Sequence, residues 1–161
     1  MSKTKIAVLT EMRGYRFEVE DFESIFSEMS KEGDIECARF YNYDSGNFKI
    51  DRFIIKQDSE ILPKAIFSNS ADSRVIIDCA ALAEQNAGII VLVNVKDDEV
   101  LIKYLRSCGV KIYAVKCGAA DKEAYKLYDK VYVLNDVRAL KRNSVDEDII
   151  NKFKRLLAYT D

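Results

Sequence analysis

The sequence predicts an α/β fold, a single domain with a mostly parallel central sheet and helices on both faces. Apolar runs of parallel-strand character recur as "KIAVL" (5–9), "GIIVLVNV" (88–95) and "VKIYAVK" (110–116). Segments of helical periodicity separate these runs, and most connections are short, the pattern of strand–helix alternation around a parallel sheet. No internal repeat, low-complexity tract or linker divides the 161 residues. One domain is therefore expected over 1–161, with its core at about 4–136.

Residues 5–9 open the domain as a buried strand. A helix follows near 20–31, where Val19, Phe22, Ile25, Phe26 and Met29 form an apolar stripe. Gly33-Asp34 turns the chain into a strand over 35–43, because Ile35, Cys37, Arg39 and Tyr41 alternate with Glu36, Ala38, Phe40 and Asn42. "DSGNFKID" (44–51) reads as a loop, "DRFIIKQDSEIL" (51–62) as a short helix before Pro63, and "KAIFSN" (64–69) as a strand. Asp72 or Ser73 then caps a helix that runs to about Asn86 and stops at Gly88. After the strand at 88–95, the helix at 97–109 begins with acids and ends near Arg106, as its dipole prefers. A strand (110–116), a short helix (121–128), a strand (130–136) and a polar connection complete the alternation. Ser144, with Glu147 three residues later, forms a capping box for a final helix over about 144–158. Its Ile149, Ile150, Phe153, Leu156 and Leu157 make a docking face.

Composition excludes several classes of function. Apolar residues make up 48% and charged residues 32%, which suits an ordinary globular domain large enough to bury a core. A net charge of -2 gives no global attraction to nucleic acid or anionic membrane, so such contact needs a local patch. No apolar run approaches 18 residues, and "MSKTKIAVLT" passes straight from polar residues into a strand. Neither a membrane span nor a signal peptide is expected, and the protein reads as cytoplasmic. Histidine is absent, which removes Ser-His-Asp and Cys-His catalysis and histidine-ligated iron. Cys37, Cys79, Cys108 and Cys117 show no C-x-x-C spacing, so free thiols are expected rather than a zinc site. The six glycines stand alone, without a phosphate-binding loop.

What chemistry remains rests on carboxylates near strand ends and helix starts. "LTEMRGYRF" supplies Glu11, "SADSRVIID" supplies Asp72 and Asp78, and "VNVKDDE" supplies Asp97, Asp98 and Glu99. Acids gathered there would hold Mg²⁺ or Mn²⁺, hard cations that take oxygen ligands. Each also has a plainer reading. Asp97, Asp98 and Glu99 suit a helix N-terminus, Asp72 suits a cap, and Glu11 suits a solvated loop. Asp78 stands out, because Val75, Cys79 and Leu82 share its helical face and an unpaired buried carboxylate is costly. Its plainer reading is a salt bridge or hydrogen bonds to backbone. In the first loop Arg13, Tyr15, Arg16 and Phe17 interleave basic and aromatic groups, which suits phosphate contact and base stacking.

"NSADSRVIIDCAALA" (69–83), followed by "AGIIVLVNVKDDEVLIKYLRSCGVKIYAV" (87–115) and "LYDKVYVLND" (127–136), resembles the NYN domain, a branch of the PIN-like metal-dependent ribonucleases. The resemblance implies a PIN-like, Rossmann-like domain whose strand-end acids surround one or two Mg²⁺ or Mn²⁺ ions. In that family a strand–Asp–x–x–Asn element comes first. Lys-x-x-Asp with a second Asp six residues on follows, and then a strand ending in Ser-Gly-Asp-x-Asp-Phe. Asp72 and Asp78 match the Asp pair, while the Lys falls on Asn69. The first-strand Asp falls on Thr10 and its Asn on Arg13, with Glu11 one place out of register. The later Asp of the third motif is matched by Asp97 or Asp98, and the earlier falls on Val95 or Lys96.

The resemblance thus implies catalytic roles for Asp72, Asp78, Asp97 and Asp98, and metal ligation by Asp72, Asp78, Asp97 and Glu11. Arg13, Tyr15, Arg16 and Lys96 are the expected nucleic-acid contacts. Two corners of the family's acidic site are lost. Cations near those corners would repel a metal while still attracting phosphate. The expected function is therefore a divergent domain with a weakened metal site that binds single-stranded or structured RNA, a protein partner or a second copy. An active Mg²⁺/Mn²⁺-dependent ribonuclease is the alternative, and an unrelated α/β binding module is a further one.

Overall fold

A computed structural model describes residues 3–43, 48–56, 60–61, 71–118, 122–134 and 157–159. Among the described residues, seven strands form one sheet in the order β3-β2-β1-β4-β5-β6-β7. They are β1 (Lys5–Glu11), β2 (Asp34–Tyr41), β3 (Glu60–Ile61), β4 (Ile89–Val93), β5 (Lys111–Lys116), β6 (Lys130–Val133) and β7 (Leu157–Tyr159). All pairings are parallel except β6 with β7. The helices are α1 (Val19–Ser30), α2 (Phe48–Lys56), α3 (Ala71–Glu84) and α4 (Glu99–Ser107), with a 3-10 turn at Lys122–Leu127. The five longer parallel strands, in the order β2-β1-β4-β5-β6, make a Rossmann-like α/β domain.

Alternation along the strands divides the interior into two layers. Ile6 and Val8 of β1, with Val91 and Val93 of β4, meet Phe22, Ile25, Phe26 and Met29 of α1 and Ile50 and Phe53 of α2. Ala7, Leu9, Ile90 and Leu92 face the other way, onto Val75, Cys79 and Leu82 of α3 and Leu101, Ile102 and Leu105 of α4. Helices therefore cover both faces, and every residue of β4 is buried, as its continuous apolar run predicts. Strand order reverses between β1 and β4, whose following helices lie on opposite faces. In such sheets ligands usually bind at this reversal, outside the carboxyl ends of the strands.

Several boundaries differ from the sequence reading. A helix begins at Phe48, inside the stretch 44–51 read as a loop, and a two-residue strand at 60–61 follows it. Helix α3 begins at Ala71, so Asp72 and Ser73 lie inside its first turn rather than at the cap. Its last residue is Glu84, and Asn86 (φ 65°), not Gly88, takes the left-handed backbone that turns the chain out of it. The Ala87 N–H bonds the Leu82 carbonyl (3.1 Å) and the Asn86 N–H bonds the Ala83 carbonyl (3.2 Å), a left-handed helix stop. Gly88 serves close packing instead, since a Cβ there would lie 2.5 Å from Thr4 Cγ2. Leu157 belongs to an antiparallel edge strand and not to the expected last helix. The strand expected at 64–69 and the helix start at Ser144 lie outside the described residues. Among the described residues, no helix is long and apolar enough to cross a membrane.

Candidate functional site

Two asparagines organise the carboxyl end of the sheet. Asn42 follows β2 and Asn94 follows β4, with φ of 55° and 58°. This left-handed backbone is one that asparagine tolerates better than most residues. The Asn94 side-chain amide donates to the backbone carbonyls of Glu11 and Arg13, both at 2.9 Å. It ties the loop after β1 to the loop after β4. The Asn42 amide donates to both carboxylate oxygens of Glu11 (2.8 and 3.0 Å), and the Arg13 N–H donates to Oε1 (2.9 Å). Glu11, an expected metal ligand, thus accepts three N–H bonds and fastens the loops after β1 and β2. Nothing in the sequence beyond an asparagine at a strand end marks either residue.

The other acids are also engaged. Asp97 accepts hydrogen bonds from Lys116 Nζ and the Tyr128 hydroxyl. Burial, then the bond to Asp97, pushes the Tyr128 hydroxyl well above the usual tyrosine range. Lys116 Nζ also lies 5.0 Å from the Tyr128 ring centroid, within cation–π range. Asp98 caps α4, its Oδ1 accepting from the Leu101 N–H at 3.0 Å. Glu99 pairs with Lys103 at 2.6 Å, one turn on.

Asp78 is buried, as its apolar neighbours predict. Its Oδ1 lies 3.0 Å from Arg39 Nη1 and 3.4 Å from Arg74 Nε, and its Oδ2 accepts from the Tyr41 hydroxyl at 2.7 Å. Strand alternation turns Arg39 and Tyr41 toward α3, where the Asp78 carboxylate meets them. Burial raises the Tyr41 hydroxyl far above its ordinary value, with the Asp78 bond adding to it. The same burial, with the Asp78 charge, pushes the Cys79 thiol up to about 12. Asp72 sits on the first turn of α3, and its side chain lies outside the described residues.

A divalent ion needs several converging oxygen ligands. Among the described residues, no three Asp, Glu, Cys or His side chains come together. As they stand, the described acids do not fit the implied Mg²⁺ or Mn²⁺. Asp78 faces β2, Asp97 faces β5, and Asp98 is spent on a helix end. Thr10, where the family would have its first acid, is fully buried.

The basic residues occupy the rim. Arg13, Arg16 and Lys96 are exposed on the two loops that Asn94 joins. Tyr15 is half-buried, edge-on to Phe17 at 4.9 Å. Phe17 is itself buried and stacked on Phe22, so it offers no surface to a base.

No family model matches the chain, and no curated protein matches it. A Parabacteroides merdae protein named as an oxidoreductase shares 11% identity over 78% of this chain and 28% of its own, with a TM-score of 0.37. SuiB from Streptococcus suis, solved with S-adenosylmethionine, shares 16% identity over 94% of this chain and 45% of its own, with a TM-score of 0.31. The chain spans less than half the length of either, and neither likeness speaks to its activity.

Proposed function

We propose that this domain binds single-stranded RNA at the carboxyl end of its sheet and holds it without cutting it, as a divergent PIN-like protein. One observation carries the reading. The described acids of the expected metal site are each committed to a cation, an amide or a helix end, while Arg16 and Lys96 stand exposed beside them, with Arg13 exposed next to Glu11 (Nε 4.0 Å from Oε1). Metal-dependent hydrolysis of a phosphodiester would require carboxylates at liberty to hold the ion. Binding requires only cations placed for phosphates on a rigid platform. The amide links through Asn42 and Asn94 supply that rigidity at three strand ends.

The test is a labelled uridine-rich 12-mer titrated with the protein in Mn²⁺, with the RNA afterwards run on a denaturing gel. The reading predicts a rise in anisotropy and intact RNA. EDTA-sensitive cleavage that is lost in Asp97→Asn would instead restore the nuclease.

A further inference from the structure

A cleft of about 390 Å³ opens beside the rim, between the start of α4 and the first half of α3. Val75 and Ile76 form one wall, Val100 and Leu101 the other, with Val95 and Lys96 at the strand end. The volume is that of a small-molecule site, with aliphatic walls and a charged mouth formed by Lys96, Asp97, Asp98 and Glu99. Ile76 is 42% exposed and Val100 81% exposed. A single exposed aliphatic is ordinary, but these two line one cleft from two helices.

The charge at the mouth selects the occupant. Asp97, Asp98 and Glu99 also line the cleft, yet each is engaged, by Lys116 and Tyr128, by the α4 backbone and by Lys103. Lys96 is exposed and forms no salt bridge among the described residues. The cleft therefore offers two apolar walls and one cation, Lys96, that stands outside any ion pair among the described residues, which suits a flat, weakly polar body carrying an anion.

We infer that the cleft seats one base of a nucleotide, with that nucleotide's phosphate at Lys96. The RNA reading makes this nucleotide part of a strand crossing the rim, and to that extent the inference rests on it. The path is short, because Asn94 joins the loop carrying Lys96 to the loop carrying Arg13. Base against aliphatic side chain gives contact without sequence readout, so the site tolerates several bases.

The experiment is a methyl-resolved NMR titration of the whole chain with uridine 5′-monophosphate, inorganic phosphate and the 12-mer RNA in turn. The nucleotide and the RNA should each shift the methyls of Val75, Ile76, Val100 and Leu101, while inorganic phosphate leaves them in place. Lys96→Ala should weaken the nucleotide about three- to fivefold, the worth of one exposed charge contact. Val100→Asp, at an exposed helix position, should weaken it further without unfolding the protein. Methyls unmoved by both nucleotide and RNA, or moved equally by inorganic phosphate, overturn the inference. RNA that binds without moving these methyls sinks the cleft and leaves the rim reading standing. Nucleotide shifts without RNA binding support the cleft and sink the rim reading.

Discussion

Asp78 Oδ1 lies 3.0 Å from Arg39 Nη1, so a carboxylate on α3 and a guanidinium on β2 meet in the interior. Replacing Asp78 by Asn keeps an acceptor for the Tyr41 hydroxyl but leaves Arg39 and Arg74 facing each other without an anion. The cost should be about 3 kcal/mol, the low end for a broken buried pair, because Arg74 is partly exposed. Urea unfolding measures it. A neutral or stabilising effect would mean that Asp78 is held at a cost, as a pocket acid would be.

The amide of Asn94 holds two carbonyls of the first loop, and its backbone is left-handed. Asn94→Gly accepts that backbone and loses only the two bonds, whereas Asn94→Ala loses both bonds and adds strain of about 1 kcal/mol. Alanine should therefore be the less stable variant by about that amount in thermal unfolding. In both variants, amides of residues 12–16 should exchange faster than in the parent. Unchanged exchange there would show that the loop is held by other contacts.

Buried hydroxyls and a buried thiol make stability sensitive to alkali. Tyr41, Tyr128 and Cys79 all ionise at higher pH in the folded chain than their ordinary values of 10.0, 10.0 and 9.0. The folded state keeps protons that the unfolded state gives up, so this stability is intact below about pH 9 and lost as pH rises further. Thermal midpoints from pH 8 to 11 should fall, steepening as the tyrosines join the thiol. At pH 8, iodoacetamide should modify exposed Cys108 well before buried Cys79, as read by peptide mass spectrometry. Labelling of Cys79 at the same rate would contradict its burial.

Sequence patterns carry the fold further than the site. The run "IIVLV" has no polar break, and it lies buried on both faces at the centre of the sheet. The burial of Asp78 is legible from the aliphatics around it. Its partners Arg39 and Tyr41 are not, because they lie 39 and 37 residues away and meet it only once β2 runs beneath α3. Asp97 and Asp98 are chemically alike on paper. Only the start of α4 makes one a cap and turns the other toward Lys116. Leu157 illustrates a different limit, since a short apolar run fits helical and extended periods alike, and pairing with β6 decides for the strand.

Phosphate binding at the rim is tested most directly by the affinity for the 12-mer RNA as a function of salt. Binding should weaken steeply with salt as phosphate contacts release counterions. Arg13→Ala with Arg16→Ala, both at exposed positions, should weaken all sequences alike and lower the salt slope by about 1 to 2 units. An unchanged affinity and slope in the double variant, with folding intact, would contradict phosphate binding at the rim.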